Sequence, residues 1–89
     1  MIVLRYPLSN PKWYGYGDTF ELDLPLNARV LTFQVQGWTP TIWVACEAAH
    51  PTKTRTFAIL ATGQSTDEYE QYIGTIQLNG LVWHLFEVR

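Results

Sequence analysis

The sequence has 89 residues, 47% of them hydrophobic, with eight acidic and six basic side chains and a net charge of −2. That length points to one domain with a small core. The basic residues Arg5, Lys12, Arg29, Lys53, Arg55 and Arg89 are scattered, which argues against duplex nucleic acid as a partner, since such binding draws its affinity from clustered phosphate contacts. A lone cysteine, Cys46, excludes an internal disulfide and favours a reducing compartment. No apolar run approaches the roughly 20 residues of a membrane helix. The expected location is therefore the cytoplasm, with no membrane partner.

Along the chain, Pro, Gly and Asn punctuate short apolar runs at regular intervals, a β pattern. Residues 2–6 predict a first strand, ended by Pro7. Residues 9–18 read as a loop rich in Gly and aromatic rings. Phe20, Leu22 and Leu24 then alternate with Thr19, Glu21 and Asp23, so one face is buried and one is wet. Residues 29–36 alternate again, with Leu31, Phe33 and Val35 opposed to Thr32, Gln34 and Gln36. Gly37 to Thr41 reads as a turn around Pro40. Residues 42–47 are apolar on both faces, which suggests a central strand. Residues 54–61 form the next strand, with Phe57 and Ile59 opposed to Thr56, Ala58 and Leu60.

Ser65-Thr66-Asp67-Glu68 has the form of a capping box, which allows one or two helical turns over residues 66–71. The clearest local signal follows. Runs 73–78 and 81–88 flank Asn79-Gly80, the dipeptide that supplies the positive φ angles of a type I′ turn. A two-residue loop fixes the register from Leu78 opposite Leu81 to Ile73 opposite Phe86. One face of this hairpin then carries Ile76, Leu78, Leu81, Trp83 and Leu85, which should be core. The other carries Gln77, Thr75 and His84 beside Ile73, Val82 and Phe86. The whole chain, 1–89, is expected to be a single all-β domain: a small antiparallel sandwich or barrel-like roll of about seven strands, with at most one short helix near 66–71.

Several elements carry a resemblance: Arg5-Tyr6-Pro7, Leu31-Thr32-Phe33-Gln34-Val35-Gln36, Ile42-Trp43-Val44, Arg55-Thr56-Phe57 running to Ala61-Thr62-Gly63, Tyr72-Ile73-Gly74-Thr75 and Leu81-Val82-Trp83-His84-Leu85-Phe86-Glu87. Together they resemble a family of small uncharacterised proteins encoded by bacteriophages and by bacteria carrying phage-derived regions. The resemblance implies a phage or mobile-element setting and implies no activity.

Candidate site residues divide into three groups. In the loop, Trp13, Tyr14 and Tyr16 alternate with Gly15 and Gly17. Such rings present flat faces for stacking on a base, a sugar or a partner's side chain; the plainer alternative is that they cap one end of the core. On the mixed hairpin face, His84 opposite Thr75 is a candidate for ligand binding or proton transfer, against the simpler reading of a histidine bonded to its neighbours. Arg55, near Lys53 and drawn towards Arg5 or Arg29 by folding, is a candidate for a phosphate or carboxylate. Cys46, in an apolar strand, reads as a small hydrophobe. With His50 and His84 as the only imidazoles, the sequence lacks the ligand set of a structural zinc. No cofactor is implied.

These observations lead to an accessory protein that acts by binding. The expected targets are a host or phage protein, for instance one of a host defence system, or a small nucleotide signal made by such a system. The alternative is a structural or assembly component of a phage particle or larger phage complex. An enzyme using Asp18, His84 and Glu87 as acid and base groups is the weakest reading, because nothing in their spacing brings them together. Ile73, Val82 and Phe86 leave the second hairpin face more apolar than a small monomer usually exposes, so self-association, most simply as a symmetric homodimer, is expected.

Overall fold

The computed structural model describes residues 1–8, 19–64 and 71–88, in seven strands. These are β1 (Ile2–Pro7), β2 (Thr19–Pro25), β3 (Arg29–Gln36), β4 (Thr39–Cys46), β5 (Thr52–Ala61), β6 (Gln71–Leu78) and β7 (Leu81–Val88). All pairings are antiparallel. A three-stranded sheet runs β1-β4-β3 and a four-stranded sheet runs β2-β5-β7-β6, so the architecture is a small β-sandwich. No helix occurs among the described residues. Residues 66–70 of the expected helix, and the Trp13, Tyr14 and Tyr16 loop, lie outside them; Gln71 opens β6 instead.

The core lies between the sheets and follows strand parity. Ile42, Val44 and Cys46 of β4 and Phe33 of β3 face Phe57 and Ile59 of β5, Trp83 and Leu85 of β7 and Ile76 and Leu78 of β6. β4 is the middle strand of its sheet and is buried along nearly its whole length, as its apolar content on both faces predicts. Leu81 departs from the expected core face: beside the Asn79-Gly80 turn it is 50% exposed.

Two bulges reset the faces. In β3, Val30 pairs with Val44 and Thr32 with Trp43, leaving Leu31 between them. Val30 therefore packs against the core while Leu31 turns outward, contrary to the simple alternation of Leu31 with Phe33. In β6, Tyr72 pairs with Phe86 and Gly74 with Leu85, so Ile73 is the extra residue. The predicted hairpin register holds from Leu78–Leu81 to Gly74–Leu85 and then slips by one. Ile73 consequently packs against the core rather than sharing a face with Val82 and Phe86. The slip coincides with the place where β3 meets β6: a Cβ on Gly74 would lie 3.3 Å from Phe33 Cβ, closer than ordinary packing allows.

Two tight turns have opposite chemistry. Asn79-Gly80, both at positive φ, closes β6 onto β7 as predicted. The β3–β4 turn is Gly37-Trp38, with Gln36 opposite Thr39, so Pro40 belongs to β4 and is not the turn centre. Trp38 sits at φ 73°, a conformation unfavourable for a bulky L-residue, and is 82% exposed. Trp38→Gly should therefore raise stability by about 1 kcal/mol, since strain is relieved and little packing is lost. Asn79→Val should lower it by at least about 1 kcal/mol, since a β-branched residue resists positive φ. Urea unfolding of the two variants measures both shifts, and equal signs would contradict the turn assignment.

Candidate functional site

On the outward face of the four-stranded sheet, His84 is tied at both ring nitrogens. Nδ1 lies 3.0 Å from Thr75 Oγ1, and Nε2 lies 2.8 Å from Thr62 Oγ1. Tyr72 OH lies 2.5 Å from the same Thr75 oxygen. Hydroxyls donate or accept as needed, so this four-membered chain satisfies either tautomer of the imidazole. The predicted neighbours His84 and Thr75 do meet, across the β6–β7 ladder. Their partners Tyr72 and Thr62 were not foreseen. Phe86 sits beside this chain, its ring edge-on to Tyr72 with centroids 5.6 Å apart, and Val82 and Phe86 are both half-buried. Ala58 and Leu60, outward by register, are themselves buried. The second hairpin face thus mixes covered residues with Tyr72, which is 57% exposed.

Arg55 lies on the inward side of β5, at one end of the sandwich. Its Nε and Nη2 donate to the two carboxylate oxygens of Glu87, each at 2.7 Å, and Nη1 donates to the carbonyl of Ala28. The pair is half-buried. The hydrogen bond to Glu87 lifts the guanidinium pKa above its usual value; burial opposes this and the charge of Glu87 reinforces it. A polar cleft of about 260 Å³ opens beside the pair, lined in part by Arg29, Gln71 and Tyr72. Arg29 and Arg55 thus approach one cleft, as the sequence allowed, but Arg55 already holds a carboxylate from its own chain. Arg5 is elsewhere, donating to Gln36 Oε1 at 2.8 Å across the three-stranded sheet. Strand parity puts His84 and Glu87 on opposite faces of β7, which separates two members of the acid–base set; Asp18 lies outside the described residues.

Other titratable groups serve the framework. His50 Nδ1 donates to the Leu26 carbonyl at 3.0 Å, beside a backbone bond from Leu26 to Pro51, and so staples two turns together. Cys46 is buried in the core. Tyr6, packed against that core, has its phenol pKa raised by burial and then by the charge of Cys46. Among the described residues no three His, Cys, Asp or Glu side chains converge as metal ligands would, and no helix is long and apolar enough to cross a membrane.

The outer face of the three-stranded sheet is different in kind. Val3, Leu31, Thr32, Gln34 and Trp43 line a shallow apolar groove of about 330 Å³. Val3 is 53% exposed and Leu31 46%. β1, β3 and β4 contain no Asp or Glu at all; their charged side chains are Arg5 and Arg29. Nothing in the sequence points to this surface: Leu31 alternates with core Phe33, and only the β3 bulge, which no residue type announces, turns it outward beside Trp43.

Glu87→Ala should cost about 2–3 kcal/mol, because it leaves a half-buried guanidinium without its carboxylate; Arg55→Met with Glu87→Leu should recover most of that loss. Urea unfolding of the single and double variants gives the comparison, and additive losses would mean the pair is not coupled. Tyr6 offers a pH test. Its folded pKa is raised above the unfolded value of 10.0, so its contribution is complete below that value and lost as pH rises through the folded pKa. Tyr6→Phe should flatten the fall in stability above about pH 10, followed by thermal melts; an unchanged alkaline slope would show that the phenol does not control it.

No curated protein and no solved structure matches the chain. A family profile, however, spans it from end to end, residues 1–89. The chain belongs to the family described as Domain of unknown function (DUF7352).

Proposed function

We propose that this chain is a non-catalytic accessory protein of phage or phage-derived origin that works by binding another protein on the outer face of its three-stranded sheet. The observation that carries the reading is the groove around Trp43. It sets exposed apolar side chains on a sheet whose strands carry Arg5 and Arg29 and no Asp or Glu. Interfaces favour an aromatic and aliphatic centre with arginine beside it, and strands that carry arginine but no carboxylate favour an acidic partner; Glu47, just beyond β4, lies 3.4 Å from the Met1 amine. The polar clusters support no competing chemistry. His84 has both nitrogens engaged, and Arg55 is neutralised by Glu87. The phage setting rests on the motif resemblance. In that setting a host defence protein is the partner class of first choice. A nucleotide would need a free cation beside a stacking platform, and Arg29 and Lys53 lie on different sheets.

The test is site-specific photo-crosslinking in the cell during phage infection. A photo-reactive residue at position 31 should give a discrete adduct with one acidic protein, and the same residue at Glu21 on the other sheet should not. Arg5→Glu with Arg29→Glu should abolish the adduct. Equal labelling from both positions, or an adduct indifferent to charge reversal, would count against this surface.

A further inference from the structure

A small β-sandwich has four sheet edges, here β1, β3, β2 and β6. Each presents unpaired backbone groups that invite another strand unless something blocks them. β3 and β6 each carry a bulge, and they cover one another through Phe33 and Gly74. β2 carries Glu21 and Asp23. Among the described residues, β1, Ile-Val-Leu-Arg-Tyr-Pro, shows none of these devices along its first five positions. Its one charge, Arg5, is laid back across the sheet onto Gln36. Ile2 and Val3 are exposed beside the edge.

We infer that β1 is a self-association edge, pairing antiparallel with β1 of a second copy to make one continuous six-stranded sheet. The register follows from the backbone. Leu8 N–H donates to the Pro40 carbonyl at 2.8 Å, in step with the β1–β4 pairing of Tyr6 with Ile42 and Leu4 with Val44. Hydrogen-bonded pairs alternate along an antiparallel ladder, so the even-numbered residues of β1 bond to β4 and the N–H and C=O groups of Val3 and Arg5 point outward. Pro7 adds only a carbonyl. A twofold axis at Leu4 places Val3 opposite Arg5 of the second copy, and Arg5 opposite Val3. That arrangement makes about four reciprocal backbone bonds. Moving the axis to Arg5 would set two arginines face to face, and moving it to Val3 would set Arg5 opposite Met1 and lose the Ile2–Tyr6 contact.

A second copy fits this edge for three reasons. The pattern of outward donors and acceptors is self-complementary. Side chains meeting on the inward side, Leu4 with Leu4 and Ile2 with Tyr6, are apolar or amphipathic. The chosen register pairs no like charges. The seam is about 20 Å long and with its flanking side chains buries roughly 1,000 Å² in total, near the lower limit for a specific interface. The dimer should therefore be reversible at micromolar concentration. It does not depend on the acidic partner proposed above, and purified protein alone suffices to test it.

Sedimentation over 1–200 μM, a range chosen to bracket an affinity of order micromolar, should show monomer passing to dimer. Amide exchange should slow at Val3 and Arg5 as concentration rises, while Glu21 and Asp23 amides in β2 stay unchanged. Val3→Pro removes an outward N–H and leaves the bonds to β4 in place, so it should weaken the dimer roughly tenfold or more with the β-structure retained. If that variant fails to fold, the amide comparison in the unaltered protein decides alone. A strict monomer at the highest concentration, or a dimer that leaves Val3 and Arg5 unprotected, overturns the inference.

Discussion

Where β3 meets β6 the strands approach so closely that a Cβ on residue 74 would lie 3.3 Å from Phe33 Cβ and Phe33 would have to shift to admit it; the parity of β6 changes immediately beside this contact. Glycine in a strand interior is otherwise unfavourable; here it lets the two sheets close at one side. The bulge at Ile73 accompanies it. Without that extra residue, Tyr72 and Thr75 would point to opposite faces of the sheet. With it, both point outward, and the phenol reaches the threonine hydroxyl that also bonds His84. Ile73 in turn goes to the core. The polar chain on the outer surface and the apolar packing of Ile73 inside are two results of the same one-residue bulge.

Charge is divided between the sheets in a way that matters more than its total. The four-stranded sheet holds Glu21, Asp23, Lys53, Arg55 and Glu87. Much of this set is paired internally: Asp23 accepts from Thr54 at 2.6 Å, and Arg55 is clasped by Glu87. A half-buried ion pair of this kind does little for net stability but makes loss of either partner expensive, and it fixes Arg55 against the turn that carries Ala28. The three-stranded sheet holds only cations. A net charge of −2 conceals this division, so the overall composition gives no hint of the basic, apolar face.

Local features were legible in the sequence, and features requiring strand order were not. Asn79-Gly80 announced its turn because few other residues tolerate two positive φ angles, and the alternation in β2 and β5 announced their faces because a half-buried strand must separate polar from apolar side chains. Seven strands and a central β4 followed. Gly37-Trp38 was missed because proline is the stronger turn signal and Pro40 lies two residues away, at a place where β4 tolerates it: the missing N–H faces no required partner, since Leu8 needs only the carbonyl. The bulges at Leu31 and Ile73 were invisible because inserting one residue leaves no compositional trace. Arg55 meeting Glu87 depends on β5 lying beside β7, a pairing across 32 positions of sequence that no local pattern encodes. For the candidate site, His84 with Thr75 was readable from the hairpin register alone, whereas the groove at Trp43 required both a bulge and a three-strand order.

The free edge and the apolar face belong to the same sheet and use different directions of it. Edge pairing runs in the plane of the sheet, through backbone groups of β1; docking on the groove runs perpendicular to that plane, through Trp43, Leu31 and Val3. A strand added at β1 would therefore leave the groove open, and Val3, which lines the groove while lying on the edge strand, would form the seam between the two uses. Two copies joined at β1 would carry two grooves on one continuous surface, meeting at the central pair of β1 strands. A partner with two acidic-apolar segments would then bind the second groove at high effective concentration, so that a modest contact at each could sum to a tight complex. A domain with so small a core cannot enlarge its own binding face without exposing more apolar surface than it can keep in solution; doubling through an edge enlarges the face while burying the strand that most needs cover.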